Sequence, residues 1–167
     1  MHFNLKEDVN PKSKRLERLF FAHPDAVELW KQHPDIILMD CTYKTNRFRM
    51  PLLNICVVAG NKKMIQVALC FLSGEKEVSY EWAMKCLREL MEKSGTSHPT
   101  CIVTDWEKAL MNALDHIFPS SAHLLCTWHV NMNILANCWK HFPKDQPRST
   151  ARAPNVVDPK WEAFLKD

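Results

Sequence analysis

Between residues 36 and 72 the chain carries three apolar runs in succession, "IILMD", "LLNICVVA" and "MIQVALCFL". Each has the length of a strand, is rich in Ile, Val or Leu, and shows little polar alternation, the pattern of strands covered on both faces. Any fold for this chain must therefore set three strands side by side. Gly60-Asn61, between the second and third runs, is a hairpin signal. Pro51 opens the second run, where its missing N–H is tolerated. Three successive antiparallel strands are the expectation.

The period changes after Ser79, which reads as a helix N-cap. Ala83, Cys86, Leu87, Leu90 and Met91 then share one helical face, and Lys93 and Gly95 supply a C-terminal charge and a stop. "TCIVTD", residues 100–105, reads as a buried strand. A second amphipathic helix follows, with Ala109, Leu110, Ala113, Leu114 and Ile117 inward and Pro119 just beyond. "AHLLC" is a fifth short strand, and a third helix runs from Trp128 to about His141. Residues 1–35 read as a lead-in with one short helix, Asp25 to Gln32, between two His-Pro steps. Residues 143–167 contain a Pro- and Arg-bearing loop and a last turn, "KWEAFLKD".

Three hairpin-like strands that continue into alternating helix and strand imply an α/β fold with a mixed sheet and helices on both faces. Right-handed crossovers place the fourth strand beside and parallel to the first. Asp40 closes the first of these strands and Asp105 the fourth, 65 residues later. Two carboxylates at the same end of neighbouring parallel strands repel unless a cation lies between them. A pair of divalent ions resolves the repulsion, because Mg²⁺ takes one or two carboxylates together with phosphate oxygens and water. Such a site suits in-line attack on a phosphodiester.

Bulk properties fit a soluble globular domain. The chain has 167 residues, enough for one core, with 46% hydrophobic and 25% charged residues. A net charge of +3 does not by itself announce a nucleic-acid binder. Seven cysteines, an odd number lying mostly in apolar runs, point to a reducing, intracellular compartment rather than a disulfide scaffold. The N-terminus has no apolar signal core, and the longest near-apolar run is too short for a bilayer, so no membrane association is expected.

Four segments, "LMDCTYKTNRFRMPLLNI", "FLSGEKEVSYEWAMKCLREL", "IVTDWEKAL" and "LLCTWHVNMNI", taken in this order and spacing, resemble the transposase domain of Mutator-like elements. These are DDE transposases with an RNase H-like core, and the resemblance covers roughly residues 30 to 142. It implies that Asp40 and Asp105 are the first two acidic ligands for Mg²⁺ (or Mn²⁺). Cys126 and His129 match the family's Cys-x-x-His motif. DNA is the implied partner, as transposon ends and as target, with a homo-oligomer compatible and the nucleus as location. The core is assigned to residues 36–142 and the start of a helical insertion to 143–167. The family's third carboxylate lies beyond that insertion. Glu162, the only glutamate after Glu107, reads as part of the insertion and is not assigned as the third ligand. Weak or absent activity of the chain as given is therefore expected. Met132 stands where the family often carries a basic residue.

Plainer readings accompany each assignment. Alone, Asp40 is a strand-end residue satisfied by loop N–H groups, and Asp105 is the N-cap of a helix starting at Trp106. Their joint placement, together with the family resemblance, favours the functional pair. Cys126 and His129 share a helical face, but a structural zinc site wants four ligands, and the spacing of His123 and Cys101 does not demand that they complete one. A buried thiol and a hydrogen-bonded histidine is the plainer account; the resemblance implies a role in positioning the acidic site or DNA. Lys44, Arg47 and Arg49 follow Asp40 on a loop and either hold phosphate or form a solvated face. Trp82, Trp106, Trp128 and Trp139 are read as packing residues. A second function class is a domesticated DNA-binding or transcription-regulating protein, similar to the plant far-red-response regulators related to these transposases.

Overall fold

The computed structural model describes residues 4–42 and 46–138. Its sheet is built from β1 (Asn4–Val9), β2 (Leu16–Ala22), β3 (Ile36–Thr42), β4 (Leu52–Val58), β5 (Met64–Phe71), β6 (Cys101–Thr104) and β7 (Ala122–Leu125). The helices are α1 (Pro24–Lys31), α2 (Glu77–Ser94), α3 (Lys108–Ile117) and α4 (Thr127–Cys138). The strands form one mixed, seven-stranded sheet in the order β1-β2-β5-β4-β3-β6-β7. The three apolar runs become the antiparallel set β3-β4-β5. β6 then lies parallel to β3, and β7 parallel to β6.

The segment read as a lead-in contributes two strands to this sheet. β1 and β2 pair antiparallel, and β2 joins the free edge of β5. Phe20 and Ala22 of β2 enter the main core. Lys6 reaches Glu89 of α2 at 2.5 Å, Arg18 is paired to Asp8, and the Arg18 guanidinium lies 5.3 Å from the Trp82 ring centre.

Burial alternates along β3 and β4, so these strands do not have two covered faces. Ile37, Met39 and Cys41, with Leu53, Ile55 and Val57, join the buried faces of α1, α2 and α3 in one core. The opposite face carries Leu38, Asp40, Thr42, Asn54 and Cys56, half-buried or exposed. A stripe on α2 (Ala83, Met84, Leu87, Leu90, Met91) and one on α3 (Leu110, Ala113, Leu114, Ile117) supply the helical side of the core, as their 3.6-residue period dictates. Gly95 ends α2 in the left-handed conformation, at φ 72°, where a residue without Cβ is favoured. The start of α2 differs from expectation. The N-cap is Lys76, and Ser79 is buried inside the first turn.

The chain divides into two compact units, Met1–Asn133 and Ile134–Asp167. Of the second, the described residues are the last turns of α4, Ile134–Cys138. The assignments at Lys44, Trp139 and Glu162, and the insertion at 143–167, lie outside the described residues. No helix among the described residues is long and apolar enough to cross a membrane.

Candidate functional site

Ile36, Ile37 and Leu38 of β3 pair with Cys101, Ile102 and Val103 of β6, a constant offset of 65 residues. The ladder's last pair is Leu38 with Val103; Asp40 lies two residues further along β3 and Asp105, the first residue beyond β6, two residues past Val103, so both stand at the same end of the sheet. Alternation puts Asp40 on the open face with Leu38, and its side chain is 49% exposed. This is the face where a charge can meet water and a ligand without entering the core.

Asp40 is held by a line of polar side chains that crosses the open face. Thr42 Oγ1 donates to Asp40 Oδ2 at 3.1 Å, and Asn54 Nδ2 donates to Thr42 Oγ1 at 3.3 Å. Gln66 Nε2 completes the line by donating to Asn54 Oδ1 at 2.9 Å. Every bond in the line points its donor toward the carboxylate. Gln66 is available because of a β-bulge. The register between β4 and β5 shifts at Ile55/Cys56, so Val67 and Ala68 are both buried and Gln66 turns outward.

Asp105 is not the cap of the following helix. The N-cap of α3 is Glu107, whose carboxylate accepts from Leu110 N at 2.7 Å. Asp105 Oδ1 has a longer contact, 3.4 Å, with Glu107 N. Between them Trp106 takes φ 72°, a region that L side chains rarely adopt. The reversal at Trp106 moves the start of the helix past Asp105, and capping falls to Glu107.

Cys126 and His129 arrive from β7. Cys126 N donates to Thr104 O at 2.7 Å, continuing the β6–β7 ladder, and Cys126 O accepts from Val130 N in the first turn of α4. One helical turn on, His129 Nε2 lies 3.3 Å from Asp40 Oδ1. His129 Nδ1 is buried with no hydrogen-bond partner among the described residues. The motif therefore delivers its histidine directly to the first carboxylate. Among the described residues no three His, Cys, Asp or Glu side chains converge closely enough to hold a metal ion. Nearby thiols feel the acidic surroundings. Burial, and then the Asp40 charge, raises the Cys56 thiol above its ordinary value. Burial pushes Cys41, on the core face, up to about 12.

The loop that leaves β3 is organised by Asn46. Its Oδ1 accepts from Phe48 N at 2.9 Å and from Met50 N at 3.3 Å. Arg47 and Arg49 are exposed on this loop, Arg49 at φ 57°, and the Arg47 guanidinium lies 4.7 Å from the Phe48 ring centre. Neither arginine has a described contact with Asp40 or Asp105. Two packing assignments are corrected: Trp106 and Trp128 are 63% and 62% exposed. Trp106 precedes α3 instead of riding on its apolar face. Trp128 opens α4, whose described residues include none that is buried.

Comparison with known proteins fits this arrangement of a carboxylate at each of two parallel strand ends. The MULE transposase domain matches residues 36–133, from the first residue of β3 into α4. The chain belongs to this family. A piece of the PKS-NRPS hybrid synthetase cheA of Chaetomium globosum is 30% identical over 74% of the chain and 3% of that protein. FAR1-RELATED SEQUENCE 5 of Arabidopsis thaliana is 29% identical over 67% of the chain and 14% of its own length. FAR1-RELATED SEQUENCE 6 of the same plant is 30% identical over 76% and 17%. The chain thus spans less than a fifth of each of these relatives.

The MULE domain's donor set suits a hard divalent cation. Carboxylates at the same end of neighbouring parallel strands are the oxygen donor type that Mg²⁺ or Mn²⁺ takes. Cys126 and His129 as a pair fall short of the four ligands of a structural zinc site.

Proposed function

We propose that this MULE domain is the catalytic core of a DNA transposase, with Asp40 and Asp105 as the carboxylates that hold divalent metal ions against a DNA phosphodiester. The observation that carries the reading is the constant offset of 65 residues between β3 and β6, which brings both carboxylates to one sheet end. The strand order β5-β4-β3-β6-β7, with β3 the first of the five in sequence, supports an RNase H-like core to which β1 and β2 are added. Bound Mg²⁺ or Mn²⁺ would lower the pKa of a water nucleophile and stabilise the leaving oxygen.

The chain's own residues prepare that site. Thr42, with Asn54 and Gln66 behind it, fixes one Asp40 oxygen, and His129 fixes the other. A carboxylate restrained at both oxygens loses less freedom on binding a ligand. Arg47 and Arg49 offer cations for the flanking phosphates. The Cys-x-x-His motif is then a positioning device, with Cys126 anchoring the turn to β6 and His129 orienting Asp40. No third carboxylate joins the pair among the described residues. The working compartment in this reading is the nucleus.

Mn²⁺ binding, followed by electron paramagnetic resonance on the 167-residue chain, tests the reading. Asp40→Asn and Asp105→Asn should each weaken binding about tenfold or more, and Mg²⁺ should compete. Mn²⁺ affinity unchanged in both variants refutes the assignment. A second reading keeps the fold without the chemistry, as a transposase-derived regulator of transcription. It is favoured by one observation, the similarity to plant proteins named FAR1-RELATED SEQUENCE. Terminal inverted repeats flanking the gene would favour the transposase, and their absence with stable transcription the regulator.

A further inference from the structure

The sheet end that presents the two carboxylates also presents aromatic rings that no part of the core uses. Trp106 follows Asp105 directly and is 63% exposed. Its backbone is held at φ 72°, with the helix capped one residue later by Glu107. A left-handed conformation at a bulky residue is unfavourable and persists where the surroundings impose it. Here it turns a large apolar ring outward instead of onto the apolar face of α3.

Trp128 reaches the same end from β7, which runs parallel to β6 and brings Cys126 beside Asp105 in register. Trp128 is 62% exposed, and its ring centre is 4.8 Å from that of His129 in an edge-to-face arrangement at 78°. His129 in turn contacts Asp40 at 3.3 Å. Each indole is therefore one residue from a member of the acidic site. On the loop leaving β3, exposed Phe48 lies under the Arg47 guanidinium.

These neighbours decide what the rings fit. Indole faces stack on nucleobases of any sequence, and arginines on the adjoining loop complement a phosphodiester chain. Bases in an intact duplex are already stacked on one another, so rings at a strand end can engage only unpaired ones. We propose that Trp106 and Trp128 are stacking platforms that hold unpaired bases of a DNA strand beside Asp40 and Asp105. This rests on the reading of that pair as a phosphodiester-cleaving site. Trp106 and Trp128 thereby select opened strand ends over intact duplex, and Arg47 and Arg49 contact the backbone of the same strand.

The test measures equilibrium binding to the 167-residue chain in EDTA by fluorescence anisotropy. The probes are an oligothymidine single strand, a blunt duplex of equal length, and the single strand with abasic positions. The single strand should bind more tightly than the duplex. Trp106→Ala and Trp128→Ala should each lose affinity on the order of tenfold, and Trp106→Phe and Trp128→Phe most of it back. Abasic positions should abolish the difference between wild type and the alanine variants. Because both rings are exposed, the variants should keep the wild-type circular dichroism spectrum. Affinities unchanged in both alanine variants overturn the proposal, as does equal loss on intact and abasic strands, which would mark a protein-docking surface. Absence of any DNA binding by the wild type also overturns it. The metal reading is judged separately by Mn²⁺, so Trp-dependent DNA binding without Mn²⁺ binding would overturn that reading alone.

Discussion

At Trp106 the usual ranking of alanine over glycine should invert. Replacing the indole by either residue removes the same side-chain contacts, so the comparison between Trp106→Ala and Trp106→Gly isolates the backbone. At φ 72° a Cβ costs roughly 1–2 kcal/mol. Glycine avoids this cost but loses about 0.5–1 kcal/mol more conformational freedom on folding. The balance leaves Trp106→Gly more stable than Trp106→Ala by about 0.5–1 kcal/mol. For a chain of this size that is a melting-temperature difference of roughly 1–4 °C. Val78 supplies the internal control, because it is exposed in the first turn of α2 with no side chain to lose from the core. There the order should be the ordinary one, alanine above glycine by about 1 kcal/mol. Urea unfolding and thermal scans of the four variants provide the measurement. An alanine variant at 106 equal to or more stable than the glycine variant would refute the strained turn, and with it the account of how Asp105 is released from capping.

Leu87 is fully buried between α2 and the sheet, so Leu87→Ala should cost about 2–5 kcal/mol. Met64→Ala, at an exposed position, should stay within about 0.5 kcal/mol by the same urea titration. Cys41 supplies a pH dependence. Burial raises its thiol from an ordinary 9.0 to about 12 in the fold, so the unfolded chain releases this proton first as pH rises. Its contribution to stability is complete below about pH 9 and is lost progressively toward pH 12. Cys41→Ala should flatten the fall in stability between pH 8.5 and 10.5; an unaltered slope would show that this thiol is not the source.

The offset between Asp40 and Asp105 was legible because two independent rules converge on it. Apolar runs placed the strands, and a parallel crossover placed the fourth beside the first, so that both carboxylates stand at one sheet end; the register itself comes from the pairing of Ile36–Leu38 with Cys101–Val103. β1 was hidden for a physical reason. "NLKEDV" forms the sheet's edge and shows only partial burial, so its pattern carries little hydrophobic signal. The exposure of the tryptophans is not legible in the pattern, because α3 begins only two residues after Trp106 and the apolar side of α4 at Trp128 meets no covering partner among the described residues. A helix face is apolar by sequence, but only a partner makes it buried.

The polar line behind Asp40 shows where pattern reading ends. Asn54 interrupts "LLNICVV" and Gln66 interrupts "MIQVALCF", and each alone is a blemish in an apolar strand. Pairing Asp40 with Asn54 puts the first of them on the carboxylate's face. Gln66 would point into the core if β5 alternated without fault back from buried Ala68. The bulge at Val67 turns it outward, so the extra residue both fills the core and directs the last donor of the line toward Asp40. A one-residue irregularity in strand pairing thus decides whether Gln66 is a buried unpaired amide, costing about 1–3 kcal/mol, or a support for the candidate metal ligand. That choice depends on the partner strand and cannot be read from either apolar run alone.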